Sequence, residues 1–224
     1  MTRISIIAQK TLTILNLLPL VWALLSHGVM SKNPVIIFLF SGKRKSGKDY
    51  ITDMLQQRLD ETQSKIIRLS GPIKRQFATD NGLDYSHLLT ASDYKEKYRL
   101  DMIAWSEAKR TQDTGFFIRA AIDMYEGSKY PIWIVSDMRR QSDLAWFPQH
   151  YDNIIYTVRI TASEAARKQR GWTFTSGVDD AESECDLDNI TDWNQEVDNS
   201  NCSGIVELLD HLTTLCNDKL NNLQ

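Results

Sequence analysis

The stretch Gly42 to Asp49 reads G-K-R-K-S-G-K-D and contains the spacing G-x-x-x-x-G-K. In that pattern Gly42 and Gly47 let the backbone curl until successive N–H groups point inward, and Lys48 adds a positive point charge, which together make a cradle for phosphate. One position departs from the common form: Asp49 stands where a serine or threonine usually helps to hold magnesium. Magnesium accepts a carboxylate or bound water as readily as a hydroxyl, so Asp49 and, further along the chain, Asp137 are candidate contacts, and Ser46 offers a hydroxyl. Which of these groups touches the ion is open. Lys43, Arg44 and Lys45 add three cations to the loop, more than a nucleotide alone requires.

Further cations recur at places where a ligand would meet them. Arg139 and Arg140 directly follow Asp137 at the end of the apolar run "IWIVSD", and open α/β sheets bind their ligands beyond the carboxyl ends of strands. Guanidinium forks match phosphate oxygens in pairs. A plain ion pair with Asp143 at a helix start is the alternative there. On a helix read from Asp93 to Arg110, the cations Lys95, Arg99 and Arg110 fall within an arc of about 60°, which suits either a ligand or a solvated face. Arg167 and Arg170 stand one turn apart at a helix end, and "GWTFTSGVDDAESECDLDN" follows with Gly171 and Gly177 as hinges. Such a segment reads as an arginine-bearing lid that excludes water and neutralises charge on a transferring phosphoryl group.

The shortage of bases narrows the acceptor. An alcohol needs a positioned base to take its proton, and His27, His87, His150 and His211 have no neighbours suited to that task. A phosphate monoester, with its second pKa of about 6, is already ionised near neutral pH and needs none. It does need cations to bring it against a second polyanion. The residues therefore point to a kinase acting on a phosphorylated substrate.

These groups need a scaffold. "VIIFLF", Val35 to Phe40, is the continuous apolar run of a strand covered on both faces, and after the loop Ile51, Leu55 and Leu59 recur at helical spacing. Further strands are read at Lys65–Leu69, Ile132–Asp137 and Ile154–Ile160, with a weaker one between Trp193 and Asn199. Ser70-Gly71-Pro72 opens a helix, and Ile205, Leu208, Leu209, Leu212 and Leu215 mark a closing one. Tyr94, Tyr98, Met102 and Trp105 form the apolar stripe of the long helix. The alternation predicts an α/β fold: a P-loop NTPase-like, doubly wound sheet of about five parallel strands with flanking helices and the lid.

Composition agrees with one well-buried domain: 224 residues, 42% hydrophobic and 25% charged. The net charge of −3 hides an asymmetry, because residues 1–170 carry 25 Lys and Arg against 17 Asp and Glu, while residues 171–224 carry 1 against 12. With no basic-aromatic repeat or nucleic-acid module, a small polyanion is the expected partner rather than nucleic acid. Cys185, Cys202 and Cys216 have neither metal-ligand spacing nor the number for a disulfide framework. Residues 11–31 lack Asp, Glu, Lys and Arg, and "TLTILNLLPLVWALL" after Arg3 and Lys10 resembles the basic and apolar parts of a signal or anchor. Residues 1–31 are read as an apolar extension, with Met30 as an alternative start, and residues 32–224 as the domain. The expected protein is a cytoplasmic monomer, membrane-associated only if the extension is retained and inserted; the terminal "NLQ" lacks a peroxisomal tripeptide.

"FSGKRKSGKD", "RLSGP", "YKEKYRLDMI", "VSDMRRQSD", "QRGWTF" and "GVDDAESECDLDN" together resemble the animal-type phosphomevalonate kinases, in the nucleoside-monophosphate-kinase branch of phosphate-loop proteins. The resemblance runs from about Val35 to the last helix. It implies ATP-dependent phosphorylation of (R)-5-phosphomevalonate to the diphosphate, with ADP released, in isoprenoid synthesis. It also implies ATP contacts for Lys43 to Asp49, for Arg170 in the lid and for Ser200, and makes Asp49 the family's own pattern. Substrate or phosphate handling is implied for Lys74, Lys95, Arg99, Arg110, Arg139 and Arg140, and a substrate contact for Asn199. The chain departs from the family at Ser200, where a histidine is common, and matches loosely over residues 190–203.

Overall fold

The computed structural model describes residues 34–90 and 93–222; the apolar extension lies outside the described residues. Five strands form one parallel sheet in the order β2-β3-β1-β4-β5. They span Ile36–Ser41 (β1), Ser64–Ile67 (β2), Ile132–Val135 (β3), Ile155–Thr161 (β4) and Gln195–Asp198 (β5). The described helices are Lys48–Arg58 (α1), Ser70–Asn81 (α2), Tyr85–Leu89 (α3), Asp93–Gln112 (α4), Phe116–Met124 (α5), Gln141–His150 (α6), Glu164–Gln169 (α7), Glu182–Cys185 (α8) and Ile205–Asn221 (α9).

β1 is central, and every one of its residues is buried. Its alternation splits the core in two. Ile36, Phe38 and Phe40 join Ile51 and Leu55 of α1 and Leu208, Leu209 and Leu212 of α9 on one face. Ile37 and Leu39 join Ile118 and Ala121 of α5, Trp133 of β3 and Phe147 of α6 on the other. A strand packed on both sides cannot alternate apolar with polar, which is why "VIIFLF" was legible as an unbroken run. A third cluster, Phe77, Leu88 and Met102 with Tyr94, Tyr98 and Trp105 against it, holds α2, α3 and α4 together away from the sheet.

β1 and β4 are neighbours, yet the connection leaving β1 runs toward β2 and that leaving β4 toward β5. This divergence opens a crevice beyond the carboxyl ends of the strands, where the glycine loop begins at Gly42. Two strands are shorter at their C-terminal ends than the sequence suggests. β2 stops at Ile67 and β3 at Val135, so Arg68, Leu69 and Asp137 leave the ladder and face the crevice instead.

Phe38 is fully buried at the centre of this arrangement. Phe38→Ala is expected to cost about 3–5 kcal/mol in denaturant-induced unfolding, because the vacated volume lies in a layer that helices on a rigid sheet cannot close.

Candidate active site

The glycine loop runs from the end of β1 into the N-terminus of α1, where backbone N–H groups and the helix dipole both favour an anion. Two features fix its curl. Gly47 has φ +93, and a side chain there would also meet the Asn199 amide, 2.2 Å from the Cβ position. At Gly42 a Cβ would lie 2.5 Å from the Ile160 carbonyl oxygen, so the loop can approach β4 only as glycine. Lys48 is buried, with Nζ 2.7 Å from Asp49 Oδ1. Desolvation raises the Asp49 carboxyl, but the charge and hydrogen bond of Lys48 together with the charges of Arg139 and Arg68 outweigh it and the net shift is downward, which keeps Asp49 ionised. The Ser46 hydroxyl is buried and has no hydrogen-bond partner.

Beside the loop lies a cleft of about 740 Å³. Lys48, Asp49, Lys74, Lys95, Arg99, Arg110, Asp137, Arg139 and Arg140 all line it. Three elements deliver the cations: α2 brings Lys74, one face of α4 brings Lys95, Arg99 and Arg110, and the β3–α6 connection brings Arg139 and Arg140. The Lys74 ammonium donates to Ser70 Oγ at 3.1 Å. Lys95 is pushed down to about 8, first by desolvation and then by the like charges of Lys74 and Arg99. Desolvation likewise lowers Lys74.

The loop cations have other company. Lys43 pairs with Asp188 at 2.6 Å and Arg44 with Asp179 at 2.9 Å. Arg167 and Arg170 lie against the loop and outside the cleft lining: Arg167 Nε donates to the Arg44 carbonyl at 2.8 Å and stacks over Trp172, while Arg170 Nη1 donates to the Ser46 carbonyl at 3.0 Å. Asn199 is buried beside them, its Nδ2 donating to the same Ser46 carbonyl at 2.8 Å. Ser200 Oγ accepts from the Ser163 N–H at 2.8 Å. Thus Asn199 supports the loop, Ser200 braces the start of α7, both lie outside the lining of the cleft, and Lys45 is exposed.

The acids of the C-terminal stretch are what residue patterns did not assign. Glu184 accepts from the Arg44 backbone N–H at 3.1 Å and pairs with Arg139. Asp188 bridges Lys43 and Arg159, the latter at 2.9 Å. The charge asymmetry between residues 1–170 and 171–224 was the available signal, since an acidic tail following a basic half has a nearby place to dock. Asp137 also takes on a structural duty. Its carboxylate accepts the N–H groups of Leu69 at 2.6 Å and Ser70 at 3.0 Å, at the start of α2. Asp143 pairs with Arg110 at 2.5 Å, not with Arg139 or Arg140.

Comparison with known proteins gives the family. A family model described as phosphomevalonate kinase matches residues 40–153. A phosphomevalonate kinase of Drosophila melanogaster is 48% identical over 158 residues, covering 70% of this chain and 83% of that protein. Among solved structures, a gluconokinase from Sinorhizobium meliloti aligns with a TM-score of 0.45 and 14% identity, over 85% of this chain and 96% of that one. TT1252 from Thermus thermophilus aligns with a TM-score of 0.38 and 12% identity, over 83% and 98%. A match through the glycine loop, the cation-bearing helix and Arg139–Arg140, joined to near-half identity with a curated member, makes the chain a member of the phosphomevalonate kinase family.

Proposed function

We propose that the cleft transfers the terminal phosphoryl group of ATP to the phosphate of (R)-5-phosphomevalonate, giving the diphosphate and ADP, with the following division of labour. Lys48 and the loop amides from Gly42 to Asp49 hold the ATP phosphates. Arg139 and Arg140 fork the acceptor phosphate, while Lys74, Lys95, Arg99 and Arg110 neutralise the rest of the acceptor anion. Arg167 and Arg170 hold the loop backbone from outside through its carbonyls and reach ATP when it is bound. The observation that carries this reading is the convergence of nine cations on one cleft, Arg68 and Arg75 joining Lys48 and the six acceptor-side residues just named.

The state of the carboxylates supports a phosphate acceptor over an alcohol. No histidine lines the cleft among the described residues. Asp49 is held by Lys48, Asp137 by two backbone N–H groups, Glu107 by Arg140, and Glu184 by Arg139 and a loop amide. None is left over to serve as a general base. An already ionised phosphate oxygen needs none and attacks the terminal phosphorus directly; charge accumulates on the transferring oxygens, where preorganised cations act.

Magnesium fits the donor set, since Asp49 presents an ionised carboxylate to the cleft and the Ser46 hydroxyl is without a partner. Asp137, with both oxygens engaged by N–H groups, would reach the ion through bound water. When bound, the ion neutralises charge on the ATP phosphates. The enzyme works as a monomer in the cytosol in this reading, which its three free cysteines and its use of ATP support. Among the described residues no helix is long and apolar enough to cross a membrane.

ADP release measured side by side with phosphomevalonate and with nucleoside monophosphates tests the reading; turnover only with the nucleotides, or with no acceptor at all, would overturn it. Lys48→Met and Arg139→Ala are each expected to lower kcat by about 10²-fold in folded protein, and turnover within threefold of wild type would remove those roles. Lys95 gives a pH signature. With its pKa depressed to about 8, it is charged below that value and loses its charge above it, so KM for phosphomevalonate should climb as pH rises from about 7 to about 9.5. Lys95→Arg, which stays charged throughout, should flatten the climb.

A further inference from the structure

Behind the acceptor side of the cleft, four charged side chains form a crossed brace. α4 contributes Glu107 and Arg110, one turn apart; the start of α6 contributes Arg140 and Asp143, also one turn apart. Each element therefore presents one acid and one base to the other. Arg110 Nη1 lies 2.5 Å from Asp143 Oδ1, and Arg140 Nη2 pairs with Glu107 Oε1. Asp143 is 1% exposed in its side chain and Arg140 4%. A single charge so placed would be expensive to bury, and each partner offsets the cost of the other.

The pairs leave donors spare. Arg110 Nε and Arg140 Nη1 are buried and without hydrogen-bond partners, Arg140 Nη1 having only the long 3.8 Å approach of the Glu182 carboxylate. Each acid thus grips one part of its guanidinium and leaves another N–H uncommitted. Arg110, Arg140 and Glu107 line the cleft, whereas Asp143 sits behind them, out of reach of any ligand. A buried N–H with no partner is costly unless something is meant to meet it. An arginine with no grip at all would sample many rotamers and lose its aim.

We infer that Glu107 and Asp143 are positioning residues for the acceptor phosphate, each holding one part of an arginine so that its guanidinium stays fixed at the cleft wall where the phosphate of phosphomevalonate binds. The inference rests on the reading that Arg110 and Arg140 bind that phosphate. It gives the i, i+3 spacing of Glu107 and Arg110 on α4 a purpose that the cation stripe alone does not have.

The test compares Glu107→Gln and Asp143→Asn with Arg110→Gln and Arg140→Gln in full-length enzyme, with melting temperature as the folding control. Expected for both acid variants is a rise of at least about tenfold in KM for phosphomevalonate, with KM for ATP within about twofold of wild type. Arg110→Gln with Asp143→Asn should be no worse than Arg110→Gln alone, since the acid acts only through the arginine. If the arginine variants raise KM for phosphomevalonate and both folded acid variants leave it within twofold, the inference falls and the site reading stands. If the arginine variants themselves leave it unchanged, the site reading falls. Equal increases in both KM values would show general loosening and also overturn the inference. Should Asp143→Asn fail to fold, Glu107→Gln, at a partly exposed carboxylate, decides alone.

Discussion

Mutual repulsion between two anions is the constraint around which this molecule is built. Two unit charges 4 Å apart repel by about 4 kcal/mol at the effective dielectric of a protein surface, and phosphoryl transfer from ATP to a phosphate monoester brings several such pairs to contact distance. Few arrangements of side chains can offset that. The cations must be many, close and already oriented, and they must come from elements that do not move apart. Here α2, α4 and the β3–α6 connection supply them around one cleft, with the glycine loop on its near side. The parallel sheet makes this possible because all five strands end on the same side, so the connections leaving β1, β2 and β3 bring their residues to one cleft.

A cluster of cations creates its own difficulty, since like charges repel one another in the folded protein before any ligand arrives. Lys74 and Lys95 are depressed first by desolvation, and the like charges around them add to it. The arginines cannot respond by losing a proton, and five of those at the cleft have a carboxylate instead: Asp53 for Arg68, Glu96 for Arg99, Asp143 for Arg110, Glu184 for Arg139 and Glu107 for Arg140. The same logic explains the loop, where Asp179 and Asp188 hold Arg44 and Lys43. The acidic tail, through Asp179, Glu184 and Asp188, is thus one counterweight to the basic half around the cleft.

What the sequence made legible follows from what is local. The glycine loop could be read because strand, turn and helix lie within about two dozen residues, and the periodicities of β1 and α1 frame it. The stripe Lys95, Arg99 and Arg110 could be read because helical geometry is a rule of spacing. The partner of each cation could not, because Lys43 and Asp188 stand 145 positions apart and Arg44 and Asp179 stand 135 apart. Asp143 illustrates the limit within a single turn: its neighbours in sequence are Arg139 and Arg140, yet it pairs with Arg110 across the fold. Asn199 and Ser200 came into view only through family resemblance, and their placement against Ser46 and Ser163 reflects the turn after β5, which no periodicity announces. β2 and β3 also end before the stretches read as strand, at Ile67 and Val135, where Arg68 and Ser136 follow.

Glu184 gives the resting cleft an anion of its own, seated between a loop amide and Arg139. A guest must therefore do better than a resident, and that is a contest of valence. A singly charged carboxylate or bicarbonate brings no more than Glu184 already supplies and has freedom of motion to lose. A dianionic phosphate brings a second negative charge and a third oxygen to the same donors. An occupant built into the chain would thereby favour doubly charged guests over monoanions, without any wall shaped to exclude the latter.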